Sequence, residues 1–286
     1  MAPDVSNLLR YLRVPELRYR DAHARPARRA HERPPRAGVT ILALVSLVRG
    51  VGRTTLAANL ATSLGRRGLR AAAIDLDPRA DLRSHFRDRL DAAPRAPFTS
   101  DALFRPLTHA RLDAPGAGLE IEWPERTVGF VSHGADHASA VEAAWDCDVA
   151  VLDTGAGASD TVEQALAEAD EVIVVARPDR ESLDAVRPTE ALLARCRMRS
   201  WRRTRARYLV NQFDGRRAID RQSLAALRAI LGPRLLWPAV QEDVAVREAL
   251  AAGRCIEDVA KGSQVVADLQ VLAQELLPAA GRKEAR

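Results

Sequence analysis

The sequence is short of cysteine. Its three thiols, Cys147, Cys196 and Cys255, lie far apart and form no CxxC pair. That excludes a disulfide framework as the organising device and predicts a reduced, cytoplasmic setting. Long apolar runs are missing too, for nothing approaches the stretch of about 18 apolar residues that a membrane-spanning helix needs. The first residues carry arginines with no apolar segment behind them, so no secretory signal is expected there. What is present suits a globular protein in water: 47% hydrophobic and 28% charged residues, in a chain able to form one large α/β domain or two small ones.

Net charge is absent from most of the chain. The formal charge is +5, and residues 1–38 supply all of it, with nine arginines against Asp4, Glu16, Asp21 and Glu32. From residue 39 onward basic and acidic residues balance, so overall basicity does not by itself point to a nucleic-acid surface on the body. Residues 22–38 (AHARPARRAHERPPRAG) have no hydrophobic period and read as a flexible linker. Ahead of it, Val5, Leu8, Leu9 and Leu12 fall at helical spacing after Asp4 or Ser6. This predicts a short docking helix within residues 1–21, too small to fold alone.

From Val39 the pattern changes. Short apolar runs at 39–46, 70–75, 148–153, 171–176, 206–211 and 234–237 alternate with amphipathic stretches at 54–67, 159–169, 180–195 and 219–230, followed by 243–251 and 264–277. Near-continuous apolar strands are those of a parallel sheet covered on both faces. Ser159 with Glu163, Gly68 and Gly232 supply helix starts and stops. The expected fold is α/β, a doubly wound, mostly parallel sheet over 39–280. Residues 86–140 show no regular pattern.

The first strand runs into Leu47-Val48-Arg49-Gly50-Val51-Gly52-Arg53-Thr54-Thr55 and then a helix. Strand, glycine-containing loop and helix start together make a phosphate cradle, because backbone N–H groups and the helix dipole converge on an anion. The strict GxxxxGK[ST] pattern is not met, since Leu47 stands at its first glycine and Arg53 at its lysine. Two further strands end in acids, at Asp75-Leu76-Asp77-Pro78 and at Asp153-Thr154-Gly155-Ala156-Gly157. Such carboxylates face the crevice at the C-terminal edge of the sheet. Thr54, Asp75 and Asp153 are the hard oxygen donors that Mg²⁺ beside a phosphate requires.

Taken in order, RGVGRTT (49–55), IDLDP (74–78), LDTGAG (152–157), ADEVIVVARPD (169–179), LVNQFD (209–214) and VREALAAGRCIEDV (246–259) resemble the MinD/ParA ATPases. Within that superfamily DLDPRADLRSHF (75–86) and AVREALAAGR resemble the BcsQ branch of cellulose biosynthesis proteins most. Asp4, Leu8, Pro15, Tyr19 and Asp21 of the leader resemble BcsR, the small partner of BcsQ. The resemblance implies ATP and Mg²⁺ as cofactors and an ATP-held homodimer. Gly50, Val51 and Gly52 would wrap the β-phosphate, Thr54 would bind Mg²⁺ and Thr55 the α-phosphate. Asp75 and Asp153 would hold magnesium's waters, and Asp77 would orient the attacking water. Asn211 and the segment near Pro238 would form the adenine pocket. Two departures stand out. Arg53 replaces the phosphate-clamping lysine with a bulkier planar fork. Val48 replaces the lysine that reaches across the dimer, with Arg49 next to it as the available substitute. Losing that cation should impair hydrolysis more than binding.

The expected role is an accessory subunit of a cellulose synthase and secretion complex at the inner membrane face, recruited through its partners. The alternative is a ParA-like partition or positioning ATPase on DNA. For that reading the relevant feature is the basic run Arg195, Arg197, Arg199, Arg202, Arg203, Arg205 and Arg207 around Trp201. A third reading is a degenerate fold that binds no nucleotide and serves only for docking. His133 and His137 lack a third ligand for a metal. The stretch QVVADLQVLAQELL lacks the basic face of a membrane-surface helix and is expected to pack on the domain.

Overall fold

The computed structural model describes residues 39–77, 79, 81–88, 119–123, 126–131, 147–199 and 204–281. The docking helix and linker expected within 1–38, the histidines at 133 and 137, and Trp201 with its neighbouring arginines 202 and 203 lie outside the described residues. Seven strands form one sheet: β1 (Thr40–Val45), β2 (Ala71–Asp75), β3 (Leu119–Trp123), β4 (Arg126–Val131), β5 (Val149–Asp153), β6 (Glu171–Ala176) and β7 (Arg205–Val210). Their spatial order is β3-β4-β2-β5-β1-β6-β7. Every neighbouring pair is parallel except β3 with β4. From β1 the chain first crosses to β2 on one side, and after β5 it crosses to β6 on the other. β1 therefore ends at a topological switch point, where ligands of open α/β sheets bind.

Alternation along each strand divides the core in two. Leu42, Leu44, Val149, Val151, Ile173, Val175 and Leu209 pack beneath α1 (Arg53–Arg66) and the C-terminal helices. Ile41, Ala43, Ile74, Ala150, Leu152, Val172, Val174 and Tyr208 pack on the other face, beneath α2 (Asp160–Glu168), α3 (Arg180–Arg199) and α4 (Ala218–Leu231). β2 is built from Ala71, Ala72 and Ala73, all buried, despite alanine's weak strand preference. The small side chains of Ala71 and Ala73 let α1 approach through its own Ala57 and Ala61, while Ala72 faces the other core. Ser159 caps α2 by accepting from Val162 N–H at 3.3 Å. Gly68, at φ +98°, ends the turn after α1, as expected.

After α4 come α5 (Val244–Ala251), the short α6 (Ile256–Val259) and α7 (Gln264–Gly281). Val265, Leu269, Leu272 and Leu276 of α7 are buried against the first core, so this amphipathic stretch packs on the domain as its composition suggests. No helix among the described residues is long and apolar enough to cross a membrane.

Two expectations need correction. Residues 234–237 do not form a strand. Gly232–Arg234 make a 3₁₀ turn, and Leu235 forms a single bridge to Tyr208. Pro233 and Pro238 bracket too few residues for a ladder to develop. Conversely β3 and β4, an antiparallel pair at the sheet's edge, lie in the stretch where no pattern was visible.

A buried ion pair ties the sheet to α7. Arg207 and Glu171 are each buried, and they are diagonal neighbours on one face of β7 and β6. Arg207 also reaches Glu275 of α7. Glu171→Ala should therefore destabilise the fold by about 3 kcal/mol in urea unfolding, because it strands a buried guanidinium. A loss under about 0.5 kcal/mol would mean that Glu275 alone satisfies that charge.

Candidate functional site

The loop leaving β1 turns through two left-handed glycines, Gly50 at φ +71° and Gly52 at φ +85°. Gly52 is the N-cap of α1 and supplies no side-chain cap. The first-turn amides of α1 are thereby left for an anion. A second reason demands glycine at 52: an added Cβ would stand 2.4 Å from Asn211 Nδ2 and 3.3 Å from Gln212 Nε2. Those amides belong to the segment after β7 and hold the loop from below. Asn211 Nδ2 donates to the Val51 carbonyl at 2.8 Å, and Gln212 Nε2 donates to the Gly50 carbonyl at 3.1 Å. Gln212 adopts φ +59° to do so.

Parallel pairing places Asp75 directly opposite Asp153, at the C-terminal ends of β2 and β5. Their environments differ. Asp75 Oδ1 accepts from Asp77 N–H and Oδ2 from Leu82 N–H, each at 3.0 Å, so the backbone holds its charge. Asp153 has no exposure, and neither of its oxygens meets a hydrogen bond of ordinary geometry. Burial pushes its carboxyl up to about 7, with Asp75 and Asp77 adding to the shift while the Thr54 hydroxyl and Arg53 oppose it. Asp77 is also buried, and its Oδ1 accepts from Arg79 N–H at 3.0 Å.

Arg53 is the cation of this crevice. It is buried, and its Nη1 donates to the Ser46 carbonyl at 3.2 Å. Its Nη2 lies 3.9 Å from Asp77 Oδ2 and its Nε 4.0 Å from Asp153 Oδ1. Burial pulls its pKa below the usual value, against the attraction of Asp153 and Asp77. Thr55 Oγ1 lies 3.4 Å from His85 Nε2, and burial depresses that imidazole to about 4.

The structure thus gathers Arg53, Thr54, Asp75, Asp77 and Asp153 around one crevice under the loop Gly50–Gly52. Arg49 is exposed on the loop, and Val48 is buried. Asn211 lies against the loop itself. Pro238 is outside this cluster, lining a cavity of about 350 Å³ with Phe213, Trp237 and Gln241. Three residues here went unassigned in the sequence: Gln212, His85 and Arg177. Arg177 follows β6, and its Nη1 lies 3.8 Å from where a Cβ on Gly50 would stand. The strand-end rule that singled out Asp75 and Asp153 applies equally to Arg177.

The donor set fits a hard divalent cation shared with a phosphate. Asp153 brings a carboxylate with unused acceptor capacity, Asp75 a second carboxylate and Thr54 a hydroxyl. Among the described residues no three acidic, histidine or cysteine side chains form a metal cage of their own. Magnesium needs no such cage, since it usually takes one or two carboxylates together with phosphate and water.

Comparison with known proteins agrees with this layout. Residues 42–256 match the family model described as the CobQ/CobB/MinD/ParA nucleotide binding domain. The chain is similar to the chromosome-partitioning ATPase Soj of Thermus thermophilus, with 30% identity over 245 residues, 85% of this chain and 97% of that protein. Its fold is similar to that of the septum site-determining protein MinD of Pyrococcus horikoshii, solved with Mg-ADP. There the TM-score is 0.61 at 22% identity, over 87% of this chain and all of the other. MinD in the MinC:MinD complex of Aquifex aeolicus gives a TM-score of 0.63 at 19% identity, over 84% and 96% of the two chains.

Two groups make stability pH-dependent in opposite directions. The unfolded chain protonates His85 near 6.5 and the native state only near 4, so this group's contribution rises with pH across that window. Asp153 does the reverse: its native proton is held to about 7 and lost near 3.8 when unfolded, so its contribution falls as pH rises. Asp153→Asn should therefore gain stability between pH 4 and 6.5, and His85→Gln should lose it between pH 4 and 7. Each change should be about 2–3 kcal/mol by urea midpoint. Parallel slopes in the two variants would contradict this assignment. Gly52→Ala should cost about 1–2 kcal/mol and be partly restored by adding Asn211→Ala, which clears the collision; simple additivity of the two losses would contradict it.

Proposed function

Because the chain belongs to the CobQ/CobB/MinD/ParA nucleotide-binding family, we propose that it binds ATP with magnesium as a two-subunit switch whose turnover is slow or absent. The observation that carries this reading is the uncapped start of α1 beneath Gly50 and Gly52, beside the opposed acids Asp75 and Asp153. Amides of residues 50–55 hold the phosphates, and Thr55 lies on the α-phosphate side. Thr54, Asp153 and Asp75 would hold the metal. When bound, that ion neutralises charge on the transferring phosphoryl group. Asp77, buried beside Arg53, orients water. Asn211 and the Pro238 segment flank the base.

Weak turnover follows from the cations. Phosphoryl transfer rests on positive charge fixed where the transition state spreads its negative charge. Val48 is buried and apolar at the position of the family's cross-subunit lysine. Arg49 is exposed on the loop and is the group available to a partner subunit. In this reading the protein serves as an accessory subunit of a cellulose synthase complex at the inner membrane face. The resemblance of residues 75–86 and 245–254 to BcsQ supports that role, and the leader resembles its partner BcsR.

The similarity to Soj supports a second reading, a positioning ATPase on DNA. Its weakness lies in the basic run. Arg195 is paired with Glu163, and Arg207 is buried with Glu171 and Glu275, so two of those guanidiniums are committed within the fold.

ATP·Mg²⁺ at about a hundredfold excess over its Kd should stabilise the protein by about 2.7 kcal/mol, visible as a rise in Tm. Turnover should stay below about 0.01 per second, near the slow intrinsic rates of unassisted GTPases. No rise in Tm would leave only a docking scaffold. Sedimentation with membranes carrying cellulose synthase should require ATP. DNA binding that falls steeply with salt, in the absence of such sedimentation, would favour the positioning role.

A further inference from the structure

Arg53 does not aim into the phosphate loop. Its guanidinium is folded back between the strand ends, donating to the Ser46 carbonyl, 3.9 Å from Asp77 and 4.0 Å from Asp153. Both sides of this arrangement are incompletely satisfied. Arg53 Nε has no hydrogen-bond partner, and the oxygens of the fully buried Asp153 have only the Thr54 hydroxyl near them, outside ordinary hydrogen-bond geometry. A cation therefore already sits beside the acids, close enough to compensate their charge and too far to bond with them. A lysine is a single point charge at the end of its stem. The arginine fork spans Ser46, Asp77 and Asp153 at once, which gives it several anchors at the acid side of the crevice.

The geometry points to Arg53 as a built-in competitor for the divalent cation, occupying the acid side of the crevice until a nucleotide phosphate draws it away. The inference rests on reading this crevice as a nucleotide and metal site, and it deepens that reading. With Arg53 folded in, Asp153 and Asp77 face a fixed positive charge, and a second cation entering there meets repulsion in a poorly screened setting. A phosphate bound in the loop offers the guanidinium a better partner, a tetrahedral oxyanion two of whose oxygens match its planar fork. Metal and nucleotide then assist one another beyond their direct contact, since the phosphate draws Arg53 off the metal's acids and the metal frees Arg53 for the phosphate. The metal alone binds weakly.

The test titrates Mn²⁺ into full-length protein and follows free Mn²⁺ by electron paramagnetic resonance, first without nucleotide and then with ADP. Arg53→Gln removes the competitor, and without nucleotide it should bind Mn²⁺ about tenfold more tightly than the unaltered chain. Loss of charge alone would also help, so Arg79→Gln serves as control. Arg79 reaches the same Asp77 at 3.7 Å, but its side chain is largely exposed. Its removal should change Mn²⁺ affinity by about twofold or less, as for a screened surface charge. ADP should then raise the Mn²⁺ affinity of the unaltered chain by a larger factor than that of Arg53→Gln. Should Arg53→Gln fail to fold, Arg53→Lys keeps the charge, loses the fork and should still gain about threefold without nucleotide.

Two failures are distinguishable. If ADP with Mn²⁺ leaves the Tm of the unaltered protein unchanged, the nucleotide reading falls and this inference with it. If ADP with Mn²⁺ raises Tm while Mn²⁺ alone binds the unaltered chain and Arg53→Gln within about twofold, the nucleotide reading stands and the competition by Arg53 is overturned.

Discussion

At the end of the central strand β5 stands a carboxylate without exposure, helped only by the nearby Thr54 hydroxyl, and the surrounding crevice is arranged around its charge. A buried carboxylate must hold a proton, find a cation or be bonded by N–H groups. Asp75, directly opposite, takes the third course through Asp77 and Leu82. Asp153 is left with the first two, a carboxyl raised to about 7 and a guanidinium at 4.0 Å. Two acids in register on neighbouring strands therefore differ in chemistry because of a few backbone amides. The same difference marks Asp153 as the acid with capacity to spare for a ligand.

The fold brings the crevice about through connectivity. β1 lies where chain crossings diverge, so its C-terminal end opens between α1 on one face and the elements following β6 and β7 on the other. The loop there is held by side-chain amides from the segment after β7 as well as by its own turn. The segment after β7 and the loop after β1 are thus in direct contact. His85 extends this contact behind the loop, joining Thr55 to the 3₁₀ turn Asp81–Phe86.

Much of this was legible in the residues. β1, β2, β5, β6 and β7 are buried on both faces and read as apolar runs. Asp75, Asp77 and Asp153 stand out because each ends or follows such a run. The β3–β4 pair escaped notice because LEIEW alternates, with charges at every second position, in a stretch otherwise without pattern. Residues 234–237 misled for the opposite reason, since Leu-Leu-Trp is apolar enough for a strand and too short between prolines to form one. The orientation of Arg53 was beyond sequence reasoning. Motif position places arginine where lysine is expected, and only packing decides that its fork turns toward Ser46, Asp77 and Asp153. Gln212 and Arg177 were missed because a polar residue after a strand is common, and nothing local says that it lies beside Gly50, far earlier in the chain.

The border of the sheet at β7 has one more consequence. Leu236 N–H bonds to the Tyr208 carbonyl at 2.7 Å and Val240 N–H to the Val210 carbonyl at 2.8 Å, so the segment after α4 uses up acceptors that an open outer strand would present. A border occupied in this way is a poor template for an incoming strand from another molecule. A molecule meeting the chain at this border would do so through side chains and loops, a contact that can be made and undone without unravelling the sheet.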